Sequence, residues 1–165
     1  MSFSTILSAV IEGLEVAFIH VEADISNGLP VFHMVGYLSS EVKEAGERVR
    51  TAIKNSGFEY PAKRTVVNLS PATMRKHGAS FDLPIAVAIL TALGQIEQPE
   101  KNCLIIGELS LGGSVKKVSG VLPIIMEAKE KGVKKCIVPL ENVSEASLVS
   151  EMEIIGAATL QEAVE

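Results

Sequence analysis

A chain of 165 residues, 47% apolar and 21% charged, has the composition of a folded soluble domain and excludes a disordered or low-complexity chain. Such a length buries roughly 70% of the unfolded surface; with aromatics at 4% and no Trp, the core must come from Val, Ile, Leu and Ala. The net charge of −5 is uneven: from Lys43 to Lys76 eight basic residues face three acidic ones, a balance of +5 that leaves −10 elsewhere, which marks either an anionic partner or a solvated face.

The N-terminal stretch MSFSTILSAVIEGLEV lacks the basic start of a signal peptide, and no apolar run approaches the roughly 20 residues that cross a bilayer. In residues 16–25, VAFIHVEADI, the residues Ala17, Ile19, Val21, Ala23 and Ile25 share one face, with His20, Glu22 and Asp24 on the other; this period of two predicts a half-buried strand. Ser26-Asn27-Gly28 reads as a turn into a second strand, PVFHMVGYL, so the pair is expected to form an antiparallel hairpin. Ser39 or Ser40 then caps a helix carrying Val42, Ala45, Val49, Ala52 and Ile53 at helical spacing, closed by Gly57.

Arg64–Leu69 reads as a strand broken at Ser70-Pro71, and residues 72–80 as a polar loop. Asp82 before LPIAVAILTALG is expected to cap a central, buried helix, with Pro84 in its first turn. CLIIGELSL predicts a strand running to the Gly112-Gly113 turn, with SVKKV returning beside it. Residues 121–131 predict an amphipathic helix, KKCIVP a strand, Glu141–Ser150 a short helix, MEIIGA a strand, and the segment from Thr159 a last helix that stops abruptly at Glu165, as if truncated. Hairpins first and αβ alternation later predict an α+β fold: a mixed sheet with helices mainly on one face, undivided by any repeat or linker.

Cys103 and Cys136 each begin an apolar run, as free buried thiols do, and suit a reducing cytoplasmic setting. Without a CxxC or a nearby His they form no metal site. No GxxxxGK[ST] or GxGxxG motif occurs, and the Gly107–Gly113 stretch lacks the Lys of a phosphate loop, so nucleotide binding is not expected. Successive same-face residues on a strand stand about 6.6 Å apart, too far for His20, Glu22 and Asp24 alone to close around a metal; they read as a solvated face, and His33 as packed. Glu127/Glu130 and Glu151/Glu153 read as surface carboxylates. Ser80, with Lys76 and His77 nearby, is the one candidate nucleophile, and it needs a base within hydrogen-bond reach. Of the basic residues, Arg48, Lys63, Arg64, Arg75 and Lys76 are the expected phosphate contacts, since Arg grips phosphate at two points. Arg50 is expected to face a partner subunit or an internal carboxylate. Few aromatics accompany these charges, so base stacking is expected to be minor.

The strings SNGLPVFHMVGY, VKEAGERVRTAIKNSGFEYPAKRTVVNLSPA, KHGASFDLPIAVAI and GELSLGGSVKKVSGVLP resemble the N-terminal domain of the ComM/YifB family of magnesium-chelatase-related AAA+ ATPases, over essentially the whole chain. Tyr37-Leu38-Ser39 departs from the family's more usual Leu-Pro-Asp. The resemblance implies a Lon-protease-like fold of the ribosomal-protein domain-2 type over residues 1–165. It implies an ATPase module outside this chain that uses ATP and Mg, a hexameric ring of neighbouring subunits, and a role on DNA in natural transformation. Lon-type peptidases use a Ser–Lys dyad. Laid on that pattern, Ile124 stands where the Lys would be, and Phe81 or Asp82 falls at the nucleophile. The resemblance therefore implies a non-catalytic binding and assembly module with no cofactor of its own, partnered by its motor, by other subunits and by DNA but not by membrane. The alternative is a peptidase with a non-standard dyad of Ser80 and Lys76.

Overall fold

The computed structural model describes residues 2–165. The chain opens with β1 (Ser2–Glu12), turns at Gly13 and returns as β2 (Glu15–Ser26), in antiparallel register from Ser2 opposite Ile25 to Glu12 opposite Glu15. This hairpin replaces the one expected from the sequence. PVFHMVGYL supplies only β3 (Phe32–Val35), which lies parallel to β4 (Arg64–Ser70); it is β4 that pairs antiparallel with β2.

Between β3 and β4 run α1 (Ser40–Lys43) and α2 (Ala45–Asn55). Ser39 caps the first, its Oγ accepting from the Val42 amide at 3.4 Å. Then follow α3 (Asp82–Ala92), β5 (Cys103–Ile105), β6 (Glu108–Leu109), β7 (Val115–Lys116), α4 (Val121–Glu130) and β8 (Lys135–Pro139). A 3₁₀ turn (Leu140–Asn142), α5 (Val143–Ala146), β9 (Glu153–Ala157) and α6 (Leu160–Ala163) complete the chain. Every residue of α3 from Asp82 to Leu90 is buried; a helix apolar all round has no solvent face to offer and goes inside. The run CLIIGELSL divides because β5 enters the main sheet while β6 pairs with β7 in a separate ribbon.

The main sheet has the order β3-β4-β2-β1-β5-β8-β9, antiparallel from β4 to β1 and parallel outside it. It is the mixed α+β sheet that the sequence predicts. Alternation along β1 assigns its two faces. Ile6 and Val10 pack with α2, α3 and α6, whereas Ala9, with Leu7 and Ile11, packs with α4 and α5. Most of the helices thus share the first face, and a second, smaller core grows on the other. Each fully buried Ile or Leu of α3 contributes about 1.5–3 kcal/mol through burial. Among the described residues no helix is long and apolar enough to cross a membrane.

Candidate functional site

The loop between β4 and α3 carries most of the candidates. The Lys76 amide donates to the Tyr37 carbonyl at 2.8 Å, and the Ser39 amide donates to the Lys76 carbonyl at 2.9 Å, which pins the loop beside the start of α1. The Lys76 side chain turns inward: its relative exposure is 0%, and Nζ donates to the Pro71 carbonyl. Burial pushes its ammonium below the ordinary lysine pKa. The expectation that Lys76 contacts phosphate is therefore corrected, because its amine is enclosed and directed at the backbone. The proposed dyad is not formed either: no hydrogen bond joins Lys76 to Ser80 among the described residues.

Ser80 lines a cleft of about 470 Å³ between this loop and the segment leading into α4, together with His77, Glu108, Lys117, Ser119 and Ile124. Ile124 is buried, and the place that the Lon-like pattern gives to a lysine is apolar. His77 Nε2 lies 3.9 Å from Glu12. A serine hydroxyl without a hydrogen-bonded base is a weak nucleophile. The wall around Lys117 is held by Asn142, which is fully buried: its Oδ1 accepts from the Val118 amide, and its Nδ2 donates to the Val118 carbonyl, both at 3.0 Å. Sequence reasoning missed Asn142, since nothing near it in the chain marks it.

Asp82 departs from its expected role. The N-cap of α3 is Phe81 and makes no side-chain cap. The Asp82 carboxylate instead accepts from Arg48 Nε at 2.7 Å, Arg48 Nη2 at 2.9 Å and the Leu109 amide at 3.1 Å. A two-point charged bond with a guanidinium outweighs a neutral cap, so the carboxylate turns away from its own helix end and ties α2, α3 and β6 together. Burial pushes the carboxyl above the ordinary range, against the opposing pull of Arg48 and the Leu109 amide. Arg48, expected at phosphate, is thus spent on an internal carboxylate. Arg50 reaches no internal carboxylate: its Nη2 meets the exposed Glu47, a neighbour on α2, at 2.7 Å.

Three expected contacts stay exposed and, among the described residues, without an ion pair: Lys63, Arg64 and Arg75. They do not converge. Arg64 begins β4, and a seven-residue strand carries its far end about 20 Å away. Arg75 belongs to that far end, where Lys76 bridges to Leu38.

No phosphate loop is formed by the glycine pair. Gly112-Gly113 closes the β6–β7 ribbon and leads into a strand, so the helix N-terminus that would receive a phosphate is absent there. His20 is exposed, and Glu22 accepts from Asn68 Nδ2 at 2.7 Å; no group of three potential metal ligands occurs among the described residues. Cys103 and Cys136 are free and buried.

The family model described as subunit ChlI of Mg-chelatase matches residues 21–142. Competence protein ComM of Haemophilus influenzae is 41% identical over 100% of the chain and 32% of its own length. The YifB protein of Escherichia coli is 42% identical over 98% of the chain and 32% of its own length. Lon protease 2 of Bacillus subtilis is 34% identical over 76% of the chain and 23% of its own length, a likeness that agrees with the Lon-like fold. The chain spans about a third of the length of the ComM and YifB relatives. With a family match over residues 21–142 and these relatives along nearly its whole length, the chain belongs to the magnesium-chelatase-related family of ComM and YifB.

Proposed function

We propose that this chain is a non-catalytic binding module of a AAA+ ATPase, one that helps subunits assemble and contacts DNA phosphates through Lys63, Arg64 and Arg75. The observation that carries the reading is the direction of Lys76. Lys76, the lysine of the alternative dyad with Ser80, is enclosed and bonded to Pro71, and the cleft offers Ile124 where a Lon-like lysine would stand. ATP and Mg belong to the motor module, and the β6–β7 turn does not fit a nucleotide. The name of the competence-protein relative supports a setting in competence. The test is DNA binding by this chain, measured by anisotropy against salt, with charge reversal at Lys63 and Arg64 and, separately, at Arg75. Loss of affinity with a shallower salt dependence supports the reading; unchanged affinity in both variants overturns it.

The second reading, a Ser–Lys peptidase, is favoured by the place of Ser80 in the 470 Å³ cleft and by the likeness to a Lon protease. Cleavage of unfolded casein that is abolished by Ser80→Ala would establish it against the first.

A further inference from the structure

The end of α2 and the segment before β4 enclose a second cleft, of about 180 Å³, lined among others by Phe32, Arg50, Lys54, Tyr60 and Lys63. Arg50 and Lys54 stand one turn apart on the same face of α2, and Lys63 enters from the other wall. No carboxylate lines the cleft. Two of the cations are held by rings: the Arg50 guanidinium lies 5.9 Å from the Phe32 centroid, and Lys54 Nζ lies 5.9 Å from that of Tyr60. Glu47 occupies one Nη of Arg50, while the buried Nε has no hydrogen-bond partner.

The geometry points to a seat for one phosphate of a nucleic-acid backbone, made by Arg50, Lys54 and Lys63. A buried donor without an acceptor costs free energy, and an incoming oxyanion that draws the guanidinium into the cleft removes that cost. Three cations with no lining carboxylate select an anion. The rings carry cations on their faces and so act as supports for charge, which makes the seat indifferent to base identity. Arg64, next to Lys63, extends the track along the start of β4. This seat rests on the DNA-contact reading and adds Arg50 and Lys54 to it.

The test measures anisotropy of a labelled duplex of about 20 base pairs between about 50 and 200 mM salt. The variants are Lys54→Gln, Arg50→Lys and, as a charge-matched control on the distant surface, Lys134→Gln, each checked for an unchanged circular dichroism spectrum. Lys54→Gln is expected to weaken binding and to lower the slope of log affinity against log salt by no more than about 0.9, the share of one phosphate, and Lys134→Gln to leave both unchanged. Arg50→Lys keeps the charge but loses the planar fork, so affinity should fall roughly fivefold with little change of slope. If Lys54→Gln tracks Lys134→Gln and Arg50→Lys is silent while reversal at Lys63 and Arg64 or at Arg75 still weakens binding, the seat is wrong and the broader reading stands. If the unaltered chain binds no duplex, both fall. Lys54 is exposed, so its variant decides the matter even if Arg50→Lys disturbs the helix.

Discussion

Arg48 and Asp82 meet at two points, Nε to Oδ2 at 2.7 Å and Nη2 to Oδ1 at 2.9 Å, with the Asp82 side chain fully buried and the Arg48 side chain 24% exposed. Removing one partner of such a pair strands the other, which costs about 3 kcal/mol or more. Asp82→Asn and Asp82→Ser, either of which would serve well as an N-cap, should therefore each destabilise the fold about as much as Asp82→Ala. Urea unfolding decides: if Asn or Ser restores the midpoint of the parent chain, the carboxylate is acting as a cap after all. Arg48→Met combined with Asp82→Leu should recover much of the loss, because neither charge is then left alone.

Lys76→Met should leave the chain folded, with stability changed by no more than about 1.5 kcal/mol. The substitution keeps the volume, removes an enclosed amine that has one partner, and leaves the backbone bonds to Tyr37 and Ser39 in place. DNA affinity should not move. A loss of affinity comparable to that from reversing Arg75 would show that Lys76 reaches phosphate.

How much of this was legible in the sequence depended on distance along the chain. The alternation in β2, the periodic face of α2 and the all-round apolar α3 are local patterns, and each gave an element of the right type. β1 shows no clear period in the sequence because its buried face carries Ser4 and Ser8, at 2% and 0% exposure, where apolar residues would mark it; without β1, the turn at Ser26-Asn27-Gly28 points to a hairpin between the wrong strands. Asp82 has the local context of a cap, and the residue that recruits it lies 34 positions away. The cation cleft escaped for the same reason: residues 30–32, 50–54 and 60–63 become neighbours only once β3 lies beside β4. What did show locally was the i, i+4 spacing of Arg50 and Lys54.

Burial raises the Cys103 thiol to about 11 and the Cys136 thiol to about 12, from an ordinary 9.0. Above pH 9 the unfolded chain releases these protons while the folded chain keeps them. The folded state then binds more protons, so stability falls as pH rises from 9. Unfolding midpoints taken between pH 8 and about 10.5 should drop, and replacing both thiols with Ala should flatten that decline. In the folded chain at pH 8 neither thiol should react with iodoacetamide; rapid labelling of either would contradict the burial.

Gly113 has φ +93, and a Cβ there would collide with Ser56 Oγ, while its carbonyl accepts from the Leu160 amide at 2.8 Å. Gly113→Ala should cost roughly 1–3 kcal/mol and lower the melting temperature by several degrees. Combining it with Ser56→Ala should recover the steric part but not the backbone strain. A single substitution with an unchanged melting temperature would mean that the β6–β7 turn shifts freely.

The place of β1 between β2 and β5 has a consequence for the order in which the molecule assembles. One edge of β1 zips to its immediate neighbour in sequence through a short turn, while the other meets β5 at Leu7 opposite Leu104, across nearly a hundred residues of chain. Loop closure grows more costly with length, by about 0.6 kcal/mol for each doubling. Local closure therefore comes first, giving a half-sheet of β1, β2, β4 and β3 under α2 and α3. Pairing β5, and with it β8 and β9, to the other edge of β1 carries the longer and costlier closure. Side chains bind that junction from both faces: Ile6 and Val10 share a core with Ile105 and Ile137, and Ala9 shares one with Leu104 and Val138, so the far half of the sheet is held to β1 by a continuous interior as well as by the strand pairing.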